Sequence, residues 1–226
     1  DDFMKMLKNK YKSDVSFILG NHDVIVHGLN IFKRQKSKVI AFLLSEKIKV
    51  FEDEKIILIK IDSTGEGNLA RGKVGQKQLD AIDEELAAIE DINKYTLIAM
   101  LHHHLFPITR DDFLKQRWRE KLFVGKIIDS TKALVDSREL VKWLRKHNIQ
   151  YVLHGHKHLP FFTFQEGMYV IAAGSACGSG AKEFKSRYLS YNILKYDHRY
   201  KRFKYCFIIY DDITLQDRQR IIINLF

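Results

Sequence analysis

The stretch Tyr95–His104, with the sequence YTLIAMLHHH, is the most informative segment for the fold of this protein. Its first seven residues form a continuous apolar run, which is typical of a strand buried on both faces of a sheet. Three histidines, His102, His103 and His104, follow immediately. Because ligands of open α/β sheets bind just beyond the carboxyl ends of strands, we expect this triplet at a functional edge of a sheet.

Two other segments repeat this arrangement of an apolar run followed by histidine. Val15–Leu19 (VSFIL) precedes GNHD at 20–23, and Tyr151–Leu153 (YVL) precedes HGHKH at 154–158. A lone histidine is more often a core or surface residue than a ligand, but three strand ends can bring three clusters to one place. Imidazole is a good ligand for Zn, Fe, Mn or Ni. The three segments therefore predict a metal site.

The first part of the chain alternates predicted strands and helices. We predict strands at 48–51 and 56–61, and helices at 2–12 and, irregularly, within 110–135. Apolar residues spaced three and four apart from Leu79 to Ile89 predict a helix that ends near Asn93. Asp136 and Glu139 form a capping-box pattern for a helix running to about His147.

From about residue 161 onward the patterns are those of strands. The predicted strands are 161–164, 168–173, 188–194, 203–210 and 221–226. An α/β first part followed by a β-rich last third predicts a layered α/β fold, with helices packed on mixed or antiparallel sheets.

The composition bounds the function without identifying it. The chain has 226 residues, 46% hydrophobic and 29% charged, as is usual for a globular protein. Its longest apolar runs are far shorter than the roughly 20 residues of a membrane span, so we expect none. Its two cysteines, Cys177 and Cys206, exclude a disulfide scaffold, and we expect both to be buried. The first residues show no signal-peptide pattern, so we expect a cytoplasmic protein.

The net charge of +10 favours anionic partners. Because this charge is spread along the whole chain, we favour a lysine-rich solvated surface over a dedicated nucleic-acid site, which stays possible. The segment Tyr196–Tyr205 (YDHRYKRFKY) mixes basic and aromatic residues that can stack bases, but we interpret it as a hairpin with exposed lysines. No pattern indicates the oligomeric state.

The histidine segments, taken in order, carry a family resemblance. With GNHD at 20–23, LHHH at 101–104 and GHKH at 155–158, the chain resembles the calcineurin-like metallophosphoesterases. The segment 72–86 (GKVGQKQLDAIDEEL) is also similar to the loop and helix before that family's middle histidine. The resemblance implies one domain over 1–226, a layered β-sandwich flanked by helices. It implies hydrolysis of an anionic phosphomonoester or phosphodiester through two divalent or trivalent ions of Mn, Fe, Zn or Ni.

The resemblance also assigns metal ligands residue by residue. Asn21, His102 and His156 would bind one metal, and His158 would bind the second. Between His102 and His103 the register of the triplet leaves both open, and we favour His102.

The resemblance gives His22 a catalytic role instead of a metal-binding one. His22 would lie above the scissile phosphate and either protonate the leaving oxygen or stabilise the transition state. Asp23 and His154 would have structural or packing roles.

The chain departs from the family pattern at its beginning. It contains neither the D-x-H nor the G-D-x-x-D motif, which in the family supply carboxylates and a further histidine to the metals. We therefore expect the chain to begin partway into the domain, with these motifs before Asp1. Two alternatives remain: a non-catalytic fragment or regulatory domain with an incomplete metal site, or a nuclease or nucleotide phosphodiesterase that uses the basic surface.

Overall fold

The described part of the chain comprises two sheets and the helices packed on one of them. The computed structural model describes residues 6, 9, 10, 14–20, 46–64, 71–106, 134–156, 161–175, 188–212 and 217–225. None of the helices in these ranges is long and apolar enough to cross a membrane.

The larger sheet has six strands, and its centre is parallel. The strands are β1 (Ile48–Phe51), β2 (Ile56–Ile61), β3 (Thr96–Leu101), β4 (Tyr151–His154), β5 (Phe161–Gln165) and β6 (Met168–Ala172). Their order is β1-β2-β3-β4-β6-β5, with antiparallel pairs only at the two edges. Parallel neighbours require crossover connections, which explains why helical segments separate β2, β3 and β4.

The smaller sheet has three antiparallel strands in the order β7-β8-β9. They are β7 (Tyr188–Asp197), β8 (Arg202–Asp212) and β9 (Asp217–Asn224). These strands confirm the predicted change to a β-rich pattern, and β7 and β8 form the hairpin expected from the sequence. Each strand runs longer than its apolar pattern alone indicated.

Two helices of the described residues connect the parallel strands. Helix α1 (Gln76–Ala87) buries Leu79, Ile82 and Leu86, as the spacing predicted. It ends at Ala87, earlier than the predicted Asn93, and the Ile89 N–H donates to the Leu86 carbonyl at 3.1 Å in a tighter turn. Asp91 then takes a left-handed backbone conformation with φ 53°, and a short 3₁₀ turn follows at Ile92–Lys94.

Helix α2 (Ser137–Lys146) begins where the capping-box pattern placed it, but the capping bond is wrong. Asp136 makes no side-chain hydrogen bond to the helix. Its carboxylate instead accepts hydrogen bonds from the backbone N–H groups of Val74 and Gly75, at 3.1 and 2.8 Å. A tertiary contact has thus replaced the local cap.

Alternate side chains of the larger sheet enter two different cores. One core joins the sheet to the helices and includes Ile57, Ile59 and Ile61 of β2. The other joins it to the smaller sheet and includes Ile98, Tyr151 and Phe203. Because strand side chains alternate between faces, this pattern confirms the predicted layered α/β fold, with a sandwich of two sheets and helices on its outer face.

Polar contacts fix the β7–β8 hairpin to the amino ends of β3 and β4. The Thr96 hydroxyl donates to the Lys201 carbonyl at 2.6 Å and contacts the Tyr196 hydroxyl at 2.9 Å. The Tyr151 hydroxyl accepts a hydrogen bond from the Phe203 N–H at 3.2 Å.

Three predicted elements of the first 135 residues have other outcomes. The predicted strand at Val15–Leu19 is wrong, because residues 14–20 have no regular secondary structure, although Leu19 is buried. Of the helix predicted at 2–12, the described residues Met6, Asn9 and Lys10 are helical. The helices predicted within 110–135 lie outside the described residues, apart from the last two positions.

Candidate metal centre

Two neighbouring parallel strands bring the middle and last histidine clusters together. In the register of β3 and β4, Leu101 pairs with His154, so both strands end at the same level. The Gly155 N–H donates to the His102 carbonyl at 3.1 Å, which continues the pairing one step past the strands. His102 and His156 therefore lie side by side at the carboxyl edge of the sheet.

The side chains of His102 and His156 are in direct contact. Nε2 of His102 lies 3.2 Å from Nδ1 of His156. The ring centroids are 5.1 Å apart at an angle of 80°. His156 has a backbone φ of 72°, a left-handed conformation that is uncommon for a residue with a Cβ. Such strain is found where the surroundings hold a side chain in a required direction.

His103 completes a group of three imidazoles. One ligand nitrogen from each of His102, His103 and His156 lies within 4.8 Å of the other two. His103 is almost fully buried, and its Nδ1 lies 2.9 Å from the Ser63 hydroxyl oxygen. That oxygen also accepts a hydrogen bond from the His103 N–H at 3.1 Å. The Ser63 contact on Nδ1 makes Nε2 the nitrogen through which His103 can bind a metal ion.

Gly72 packs directly against the His103 ring. A Cβ built on Gly72 would lie 2.3 Å from Nδ1 of His103 and 2.6 Å from the Ser63 carbonyl oxygen. The loop that carries Gly72 is held by the Asp136 carboxylate and by a hydrogen bond from the Lys73 N–H to the Ser63 carbonyl at 3.0 Å. The absence of a side chain at position 72 therefore sets the position of the imidazole.

Two more of the described histidines, His104 and His154, form a layer behind the group. His104 is fully buried, and its ring stacks on that of His156 with centroids 5.7 Å apart. His154 is also buried and lies 6.5 Å from His104 between ring centroids. These rings support the position of His156 from within the protein.

The predicted site residues have different outcomes. The structure brings His102 and His156 together and places His103 within reach of the same ion, so the choice between His102 and His103 stays open. Asn21, His22 and His158 lie outside the described residues. Their predicted roles, and metal binding by His102 and His156, stay predictions.

Sequence reasoning missed Ser63 and Gly72. A usable signal existed for Ser63, because it follows β2, which is parallel to β3 and ends at the same edge, with Ile61 paired to Leu101. Gly72 begins the segment 72–86 that carried part of the family resemblance, but nothing in the sequence indicated its packing role, which depends on a contact with a residue 31 positions away in the chain.

Comparison with known proteins identifies the family. A family model described as calcineurin-like phosphoesterase matches residues 1–160. This chain belongs to the calcineurin-like phosphoesterase family. The residues matched to this phosphoesterase family contain all three histidine segments, including GNHD at 20–23 and GHKH at 155–158.

Solved structures similar to this phosphoesterase-family chain include two of Vps29 from Entamoeba histolytica. A single mutant of Vps29 has 13% sequence identity to this chain. The match covers 76% of this chain and 99% of the Vps29 chain, with a TM-score of 0.32. Wild-type Vps29 complexed with Zn²⁺ also has 13% sequence identity to this chain. The match covers 74% of this chain and 98% of the Vps29 chain, with a TM-score of 0.30. A search of curated protein sequences finds no match to this chain.

Proposed function

We propose that this protein hydrolyses a phosphoester at a metal centre that includes His102 and His156. The observation that carries the proposal is the 3.2 Å approach of their two ring nitrogens at the carboxyl edge of the sheet. Membership of the phosphoesterase family supports the reaction class.

The geometry of the histidine pair fits a transition-metal ion. Two imidazole nitrogens bound to one tetrahedral ion at about 2.0–2.1 Å lie about 3.3 Å from each other. The observed separation of 3.2 Å is close to that value. A donor set made of imidazoles favours Mn, Fe, Zn or Ni over Ca, which prefers oxygen ligands. When bound, such an ion supplies Lewis-acid polarisation of the phosphoryl oxygen and activation of water.

The chain's own residues divide into holding, supporting and proton-transferring groups. His102 and His156 would hold one ion with Asn21, and His158 would hold the second. Ser63 and Gly72 orient His103 at the same place. His22 would donate a proton to the leaving oxygen, a contribution of about 10²–10⁴-fold in rate. The net charge of +10 attracts an anionic substrate, and this attraction weakens with salt.

A second candidate is a metal-binding domain without hydrolytic activity. It is favoured by the composition of the ligand group, since among the described residues no carboxylate joins the three histidines. A carboxylate that bridges two ions offsets their mutual repulsion, so a group made of imidazoles is better suited to a single ion. This candidate predicts metal binding without turnover.

The experiment separates metal binding from catalysis by measuring both on the same samples. The full chain, His156→Ala and His22→Ala are each analysed for metal content and for hydrolysis of two aryl phosphodiesters with different leaving-group pKa values. His147→Gln, at the end of α2, is the matched histidine control. We expect His156→Ala to lose metal and activity on both esters. We expect His22→Ala to keep its metal and to lose activity mainly on the ester with the poorer leaving group, since a good leaving group needs no proton.

The contrary results are distinct for each part of the proposal. Metal loss in His22→Ala would contradict its role as a proton donor. Full metal content in the wild-type chain with no hydrolysis of either ester would favour the non-catalytic candidate. Unchanged metal content in His156→Ala would remove the proposed centre altogether.

A further inference from the structure

The turn of the β7–β8 hairpin carries a cavity that the metal centre does not use. We call residues 195–204 the hairpin end. A cavity of about 280 Å³ opens there, and its walls are formed by Lys195, Tyr196, Asp197, His198, Arg199 and Lys204. The cavity is large enough for a phosphate group together with part of the molecule that carries it.

The charge of the hairpin end is strongly positive. Its ten residues contain five lysines and arginines and a single carboxylate, that of Asp197. Asp197 is engaged by the turn itself, because its Oδ1 accepts hydrogen bonds from the backbone N–H groups of Arg199 and Tyr200, at 3.0 and 3.4 Å. Lys195 and Arg199 are exposed, and neither forms an ion pair with another described residue. The cavity is therefore complementary to an anion.

Aromatic rings alternate with these cations. The Tyr200 side chain is 63% exposed, and the Arg202 guanidinium lies 5.2 Å from its ring centre. Lys204 lies 5.3 Å from the ring centre of Tyr205. Surfaces that bind single-stranded nucleic acid combine cations along the backbone path with aromatic rings on which bases stack. Both components are present within ten residues here.

The hairpin end is held in place by the larger sheet. Thr96 binds Tyr196 and the Lys201 carbonyl, and Tyr151 binds the Phe203 N–H. Both contacts lie at the amino ends of β3 and β4, whereas the histidine group lies at their carboxyl ends. The length of β3 alone, six residues, separates the two edges by about 17 Å. The cavity is thus a second, preorganised site on the opposite edge of the sheet.

We propose that the hairpin end binds single-stranded nucleic acid, with phosphates at Lys195, Arg199 and Lys204 and a base stacked on Tyr200. This site is independent of the proposed hydrolysis. A protein without phosphoesterase activity would bind nucleic acid at the hairpin end equally well.

The first test is a charge reversal with a matched control. Binding of a fluorescently labelled oligothymidylate to the full chain is measured by anisotropy between about 50 and about 200 mM salt. The variant Lys195→Glu/Arg199→Glu is compared with Lys77→Glu/Arg138→Glu, which makes the same charge change on the exposed faces of α1 and α2. Each phosphate contact on a single strand contributes about 0.7 to the slope of log affinity against log salt. We expect the hairpin variant to lower that slope by about 1.4 and the control to leave it nearly unchanged.

The second test separates base stacking from general attraction of anions. Tyr200→Leu keeps the charge and an apolar side chain but removes the ring. We expect about a 5- to 150-fold loss of oligothymidylate affinity, the range that corresponds to one stacked base, with inorganic polyphosphate bound as before. Equal effects of both charge-reversal variants would overturn the site. If Tyr200→Leu kept its oligothymidylate affinity and polyphosphate bound as tightly as the oligonucleotide, the hairpin end would be an unspecific polyanion-binding surface and the proposal would be overturned.

Discussion

Replacing Gly72 by alanine tests whether the loop at 71–75 positions the candidate metal ligands. The new Cβ would lie 2.3 Å from Nδ1 and 2.5 Å from Cγ of His103, well short of the 3.4 Å at which ordinary contact begins. The same Cβ would lie 2.6 Å from the Ser63 carbonyl oxygen, so the loop cannot move toward Ser63 instead. The imidazole must therefore be displaced, and the contact of its Nδ1 with the Ser63 hydroxyl is lost or lengthened.

The magnitude follows from these two effects. Overpacking of a buried site costs about 1–3 kcal/mol, and the hydrogen bond between Nδ1 of His103 and the Ser63 hydroxyl contributes about 1 kcal/mol. We expect Gly72→Ala to lower the free energy of unfolding by about 2–4 kcal/mol in urea denaturation. Loss of a group that orients metal ligands costs about 10- to 100-fold in metal affinity, which a Zn²⁺ titration of the folded protein measures.

Two other glycines provide matched controls for this substitution. A Cβ on Gly155 would lie 3.7 Å from Nδ1 of His102, an ordinary contact, so Gly155→Ala should keep Zn²⁺ affinity. Gly167 has φ +79°, and a Cβ built on it would have no atom within 4 Å. Gly167→Ala should therefore lower the free energy of unfolding by about 1–2 kcal/mol through backbone strain, and it should keep Zn²⁺ affinity. The reasoning would be refuted if Gly72→Ala bound Zn²⁺ as tightly as these controls.

Two further predictions concern groups that are not part of the candidate metal centre. Burial raises the pKa of Asp83, but hydrogen bonds from Lys146 and Trp143 outweigh it and hold that pKa below the ordinary value. This contribution to stability is present above the unfolded pKa near 3.8 and is lost as the pH falls below it. The free energy of unfolding of Asp83→Asn, measured in urea, should therefore fall less steeply with decreasing pH than that of the wild type. An identical pH dependence would contradict the assignment. Burial raises the pKa of the Cys206 thiol to about 11 from 9.0, so its contribution is present below pH 9 and is lost between about 9 and 11. Cys206→Ala should remove that part of the alkaline loss. Rapid labelling of Cys206 in the native protein at pH 8, distinguished from labelling of Cys177 by peptide mass spectrometry, would show that Cys206 is not buried.

The parts of the fold that the sequence predicted share one physical cause. Strands β2, β3 and β4 are buried on both faces, so they appear as continuous apolar runs, and the helix α1 has one apolar face with regular spacing. The same strand ends led to the prediction that His102 and His156 lie at one edge, where the structure places them.

The misses depend on contacts between distant parts of the chain. The run Val15–Leu19 has the composition of a strand but pairs with no strand of the described residues, and propensity alone cannot reveal that. Asp136 forms tertiary hydrogen bonds with the 71–75 loop instead of capping α2, a choice that depends on the folded position of that loop. Ser63 and Gly72 gain their roles only when β2 and the loop meet His103.

The most direct test of the central claim is X-ray absorption spectroscopy of the Zn²⁺-loaded full chain beside the variant His102→Ala/His156→Ala. The claim is that these two histidines bind one transition-metal ion through the nitrogens that lie 3.2 Å apart. We predict a shell of imidazole nitrogens at about 2.0–2.1 Å from zinc in the wild type, and loss of bound zinc in the variant after dialysis. Equal zinc content and an unchanged imidazole shell in the variant would contradict the account.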